Sequence, residues 1–383
     1  MLRFLFPLVS LLIAVFSIGV DLFPRQPDSG ICLHGGCRID QTDSTVLAAG
    51  ATPAAAKALL VEDSADPTMW CGYGEFLSTA GQSENARAAF DRAVALGPGM
   101  SPVLMRVANF NFTHERTEEG LRLAARILSQ TEEFDQLLFS YLQNARVPIA
   151  RILGDVVPAT PRPARSWLGW VRSRGSDRDV VDTWAWIRRN HLEDERSAVE
   201  TASTLWQRKA HRSAQELWAD WMGARRGDYP RPQLLIDTHF EEQPSGTPFD
   251  WNLSPASSVA YIRRNGLDVR FLGQENVDFR GVQQSTAIDP GRYRFTAEID
   301  AEDLTTDQGP FFQIVDAENP GRLTAESRPI LGAISRSSVV LDFVVPQATR
   351  VLTVQLVRRP SLKFDCKISG TMHIYGASLL KLR

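Results

Sequence analysis

From Trp70 to Pro98 the chain reads WCGYGEFLSTAGQSENARAAFDRAVALGP, and no other segment constrains the fold as strongly. Trp70, Tyr73, Gly74 and Leu77 recur three and four apart, which places them on one face of a helix starting after Asp66-Pro67. Gly81 ends that helix. A second helix from about Ser83 carries Ala86, Phe90 and Ala93 on one face, and Gly97-Pro98-Gly99 closes it. Gly74 and Ala86 are small enough for two antiparallel helices to approach closely. Trp70, Tyr73, Leu77 and Phe90 fill the space that remains. One such hairpin cannot bury its own apolar stripe, so neighbours of the same kind must stack on it.

The spacing recurs. Leu104, Ala108, Gly120 and Ala124 follow Trp70, Gly74, Ala86 and Phe90 by 34 residues. Later, Trp184 aligns with Trp218 and Ile187 with Trp221 at the same period, while Ala202 and Ala214 take the close-approach positions. Helical hairpins are therefore expected near 67–100, 101–134, 161–194 and 195–228, with 135–160 as a degenerate unit. The first of them resembles a tetratricopeptide repeat, whose signature is W-x2-L-G-x2-Y, then A-x3-F, then Pro. Tyr73 and Leu77 exchange the usual Leu and Tyr, and Pro98 takes the place of the closing Pro. The resemblance implies an α-solenoid over 53–228 whose concave face holds a protein or peptide.

Residues 1–23 begin MLRFLFPLVSLLIAVFSIGV; Arg3 gives a positive flank and Phe4 to Val20 carries no charge. That length lies at the lower edge of the roughly 17–25 residues needed to span a bilayer. It reads as a signal anchor facing the periplasm, or as a signal peptide that is cleaved. Residues 24–52, rich in Pro, Gly, Asp and Ser, read as a linker. Within it, Cys32 and Cys37 suit a short-loop disulfide in an exported protein. A metal or redox site using Cys32, His34 and Cys37 is the alternative, although structural zinc wants a fourth ligand and none is near. Cys71 and Cys366 read as small buried residues.

After GDYPRPQ, Gly227 to Gln233, the period changes to two. Segments such as LLIDTHF, DVRFLG, GRYRFTAEID, FFQIV, SVVLDFVV and VLTVQLV alternate apolar and polar residues. Residues 233–383 are expected to form an antiparallel β-sandwich. The order FEE, GTPFDW, NGLDVRFLG, VQQSTAIDPGRYRF and a closing MHIYGASLL resembles jelly-roll carbohydrate-binding modules of the galactose-binding-like type. That resemblance implies a glycan site, for which Trp251, Arg270, Gln283, Gln284, Phe311 and Phe312 are the candidates. Trp251 also has the place of a core residue, and alternation requires one of Phe311 and Phe312 to point inward. Such modules often hold calcium between an early and a late carboxylate. Here Glu241 or Glu242 could serve early, but Ala377 and Ser378 occupy the late position.

A net charge of −3 and a pI of 6.1 give no basic footprint, which argues against nucleic acid as a partner. No nucleophile elbow, metalloprotease helix or phosphate loop is present, and the six histidines, at 34, 114, 191, 211, 239 and 373, lie in no recognisable catalytic setting. The expectation is a non-catalytic protein without a cofactor. Anchor, helical repeats and sandwich in that order resemble accessory proteins of cell-envelope polysaccharide assembly, so an envelope protein is the expected partner. A glycan-binding protein is the first alternative. A sandwich-type polysaccharide hydrolase or lyase, which needs two facing carboxylates, is the second.

Overall fold

A computed structural model describes Lys57, Leu60, residues 63–364 and residues 367–382. The leader, the linker, Cys32, Cys37 and Cys366 lie outside the described residues. Among the described residues no helix is long and apolar enough to cross a membrane.

Helical hairpins come first. They are α1 (Pro67–Thr79) with α2 (Ser83–Leu96), and α3 (Ser101–Thr113) with α4 (Thr117–Gln130). Then come α5 (Asp135–Asn144) with the short α6 (Ile149–Arg151) and a wider turn, Ile152–Val156. The last two are α7 (Pro161–Arg174) with α8 (Asp177–Arg189), and α9 (Glu195–Gln207) with α10 (His211–Met222). Local chemistry sets the boundaries. The Asp66 carboxylate accepts the Thr68 N–H ahead of Pro67, Ser176 and Asp179 form a capping box before α8, and Asp194 accepts the Ser197 N–H before α9. Gly81, at φ +75°, makes the first turn.

The leading helices begin at 67, 101, 135, 161 and 195, so the repeat of 34 holds on both sides of one contraction to 26. Phe90, Ala124, Trp184 and Trp218 thus occupy one equivalent site, seven residues into the second helix of their hairpins. Small residues face large ones there. A Cβ added at Gly74 would lie 3.0 Å from the Phe90 ring, and Gly120 is equally tight against Phe112. Gly74, Leu77, Ala86, Phe90, Ala93, Trp184 and Trp218 are buried, while Trp70 and Tyr73 are half-buried and meet edge to face. Pro98 is exposed, contrary to its expected packing role. Gly97 is the buried residue of that turn, with the Pro67 ring against it.

Two antiparallel five-stranded sheets follow, neither closed. One has the order β1 (Asn252–Leu253), β4 (Phe279–Ala287), β9 (Val351–Arg358), β6 (Phe311–Asp316), β7 (Thr324–Glu326). The other has β2 (Val259–Arg263), β3 (Leu267–Leu272), β10 (Ser369–Lys381), β5 (Gly291–Leu304), β8 (Gly332–Val345). Alternation sorts the faces: Tyr293, Phe295, Ala297 and Ile299 on β5 point into the shared core with Met372 and Ile374, while Arg294 and Glu298 point out.

The two parts share apolar packing. Tyr229, Ile236 and Phe249 belong to the same core as Trp184 and Trp218, and Trp206 meets Phe249 edge to face. Across the seam the buried Gln215 on α10 donates from Nε2 to Thr286 Oγ1 at 2.9 Å and accepts the Ala287 N–H at 3.0 Å. Arg212 pairs with Asp289. The connecting segment, with cis bonds before Pro230 and Pro232, is tied down at the buried Tyr229 and at Leu234 to Ile236, while residues 223–228, Arg231 and Pro232 are exposed.

Beside this seam Asp237, at φ +48°, turns the chain toward the first sheet. Burial pushes its carboxyl up to about 6, against the opposing pull of the Glu241 and Glu242 amides. A raised carboxyl pKa means that the folded protein binds more protons than the unfolded chain between about pH 4 and 6. This group therefore costs stability as pH rises through that window. Asp237→Asn, which keeps an acceptor for the Glu241 N–H and tolerates the left-handed backbone, is expected to stabilise the protein by ~1 kcal/mol at pH 7, a figure discounted for solvent reaching a half-buried group. Urea titrations of both proteins at pH 4 and pH 7 check it: the difference between them should appear only at the higher pH.

Candidate functional site

The contraction of the third hairpin leaves a notch. Where a full repeat would continue the second helix, α6 and the following turn run out early, exposing the last turns of α5 and α7. The resulting cavity, of about 200 Å³, is lined by Arg146 and Val147 after α5, Ile149, and Trp167, Trp170 and Arg174 on α7. Trp167 and Trp170 are 3% and 4% exposed, and Phe139 meets both rings edge to face. The Trp167 Nε1–H is buried with no acceptor. Arg174 lies over the Trp170 ring at 4.2 Å. Among the described residues neither Arg146 nor Arg174 forms an ion pair, unlike Arg106 with Glu75, Arg151 with Glu118 and Arg172 with Glu200, and like Arg92, Arg126 and Arg189 elsewhere on the helices. The notch thus joins an aromatic floor to two arginines outside any ion pair, with the Asp179 carboxylate, engaged by the Ser176 cap, also on its wall. That suits an apolar side chain next to a carboxylate.

The second arrangement lies on the outer face of the sheet containing β10. His373 Nδ1 is 2.5 Å from Asp268 Oδ1. The Tyr375 hydroxyl donates to Asp300 at 2.5 Å, and Arg336, paired with Glu298, covers the Tyr375 ring at 4.0 Å. His373 packs edge-on against the same ring. Hydrogen bonding to Asp300, with burial adding, raises the Tyr375 pKa and keeps the phenol protonated. Of these groups Tyr375, Arg336 and Glu298 border a groove of about 490 Å³ that also includes His239, Glu241 and Ser378. Its polar rows match sugar hydroxyls in kind, but its ring is occupied on one face by a guanidinium.

The residues expected to bind glycan do not converge. Trp251 is 2% exposed, stacks near Phe240 at 4.7 Å and donates from Nε1 to the Asp237 carbonyl, so it is core. Gln284 is buried and brackets the Ile236 backbone, accepting its N–H at 2.9 Å and donating to its carbonyl at 3.0 Å. Phe311 and Phe312 are both buried: Phe312 joins the core, and Phe311, on the opposite face, lies under Arg359 at 4.6 Å. Gln283 is half-exposed on β4, while Arg270 is exposed on β3 of the other sheet beside Asp268. Among the described residues no group of three His, Cys, Asp or Glu side chains is placed to hold a metal. The His373–Tyr375 cluster was missed because the expected platforms were Trp and Phe. The readable signal was the outward alternation Thr371, His373, Tyr375 in the last strand.

No family model matches the chain, and no curated protein matches it. Among solved structures it is similar to YrrB, described as a TPR protein with an unusual peptide-binding site, at 14% identity over 45% of this chain and 92% of that one, with a TM-score of 0.25. It is similar to PilF of Pseudomonas aeruginosa at 15% identity over 44% and 66%, with a TM-score of 0.20. TmCBM61, solved with β-1,4-galactotriose, matches at 11% identity over 34% and 91%, with a TM-score of 0.24. Scores this low carry no functional argument. The architecture on which function must be argued is helical hairpins followed by two antiparallel sheets.

Proposed function

We propose that this protein is a non-catalytic scaffold. Its hairpins form a tetratricopeptide-like solenoid that binds a protein partner of the cell envelope, in the service of envelope or exopolysaccharide assembly. The N-terminal segment holds it at the inner membrane facing the periplasm, or is cleaved to release it there. The sheet part is a jelly roll that braces the solenoid. The observation that carries this reading is the notch at the contracted third hairpin, where a buried indole N–H lacks an acceptor and two arginines stand outside any ion pair.

Deleting the helical part is a poor test, because it would strip the shared core from Ile236 and Phe249. Point changes are better. The full chain and its Trp170→Ala/Arg174→Glu variant serve as baits on solubilised envelope, with unfolding midpoints measured alongside. Any partner held through the notch should be recovered about tenfold less by the variant, as expected for loss of an aromatic and arginine hot spot. Equal recovery from two folded baits removes the notch from the binding story.

A second reading, glycan binding, is favoured by one arrangement: the polar rows around Tyr375 on the outer sheet face. Retardation in gels containing polysaccharide, abolished by Tyr375→Ala, supports it; equal mobility with and without polysaccharide removes it.

A further inference from the structure

The edge strand β8 carries an inference independent of the notch. It runs for 14 residues, Gly332–Val345, and its ladder is with β5 alone. Among the described residues no other backbone bonds to its outer edge. Natural sheets blunt such edges with prolines, lysines or bulges. Here the stretch after a bulge near Ser335–Arg336 is regular from Ser337 to Val345, contains neither proline nor lysine, and has two valines largely in solvent, Val340 at 51% and Val344 at 61% exposure.

The charges on this strand are self-complementary. Arg336, Ser338, Val340, Asp342 and Val344 face outward, and Val339, Leu341, Phe343 and Val345 face the core. Two copies joined antiparallel in one continuous sheet must keep outward residues opposite outward residues. Of the registers that do so, only the one with its two-fold axis at Val339 sets Arg336 opposite Asp342 of the other copy. In that register Ser338 faces Val340 and Ser337 faces Leu341. Each Asp342 already accepts two bonds from Arg294 at 2.7 Å, and each Arg336 pairs with Glu298 at 2.5 Å. Pairing would extend these into a row of alternating sign across both copies, Glu298, Arg336, Asp342, Arg294. The same residues meet twice, as a two-fold interface requires.

We propose that β8 is a self-association edge, through which two copies of this chain join their five-stranded sheets antiparallel about Val339. The test uses the full chain in detergent, by sedimentation velocity over a range of concentrations. Wild type should show a concentration-dependent monomer–dimer equilibrium. Arg336→Glu sets like charges opposite each other at two symmetric places and should weaken association about 10-fold. Arg336→Glu/Asp342→Arg restores opposite charges across the two-fold and should recover it. Thermal melts show that each variant is folded, and all the changed side chains are exposed. A wild-type monomer at every concentration overturns the proposal. So does a dimer indifferent to both charge changes, which would place the contact elsewhere, in the leader for instance.

Discussion

Trp218→Ala is expected to lower the unfolding free energy by about 4 kcal/mol, the range for removing a large buried aromatic. The side chain is 2% exposed and among the largest that are fully enclosed. It stands at the repeat site that Phe90 and Trp184 fill, in one core with Ala202 on the preceding helix and Ala214 one turn earlier on its own, both small and fully buried. Its core also holds Ile236 and Phe249, so the cavity would open between the last hairpin and the segment leading into the sheets. The damage should therefore reach both parts. Far-ultraviolet circular dichroism, which reports chiefly the helices, and the loss of amide protection on the sheet strands should shift to lower denaturant together. Trp218→Phe should cost less than half as much, because the indole Nε1–H has no acceptor to lose. A loss below about 1 kcal/mol for the alanine variant would contradict the shared core.

That shared core marks what could be read in advance and what could not. The hairpins were legible because their contacts are local: Gly74 against Phe90 and Ala202 near Trp218 repeat at fixed offsets, and periodicity records such pairs directly. The third hairpin was legible only as a degenerate unit over 135–160, since contraction to 26 residues shifts the register and hides the shape of α5 and the Ile149–Val156 turn. In the sheets, alternation marked the strands but not their neighbours. It gave Trp251 the place of a core residue, but it could not tell that a roof of Arg359 lets both Phe311 and Phe312 be buried on opposite faces. The Tyr375 cluster draws Asp268, Asp300, Arg336 and His373 from four strands, and only the pairing order assembles it. The notch is a missing stretch of helix, visible once the units on both sides are in place.

Asp316→Ala is expected to cost about 3 kcal/mol, because it strands more partners than it removes atoms. Asp316 ends β6 with no solvent exposure. Its Oδ2 accepts from the Thr349 hydroxyl at 2.7 Å and faces Arg322 at 3.1 Å; its Oδ1 accepts the Glu318 and Asn319 N–H groups at 2.9 and 3.0 Å. Burial pushes the carboxyl up, but the Thr349 hydroxyl, the two amides and Arg322 together hold it below the usual carboxylate range. For a lowered carboxyl pKa the stabilisation is complete above the unfolded value, near pH 4, and is lost as pH falls through the folded value. The wild type should thus lose stability in acid relative to the variant, and the gap between them should narrow below about pH 4. Asp316→Asn should fall between the two: its amide oxygen can still serve the backbone N–H groups, while its NH2 meets donors at Thr349 and Arg322. The turn that Asp316 organises also presents Glu318 to His211, 3.7 Å away at the start of α10. Loosening it should speed amide exchange at the first turn of α10, far along the chain from the substitution. Unchanged exchange there, with the stability loss present, would mean that the turn supports its own sheet and contributes nothing to holding the hairpins against it.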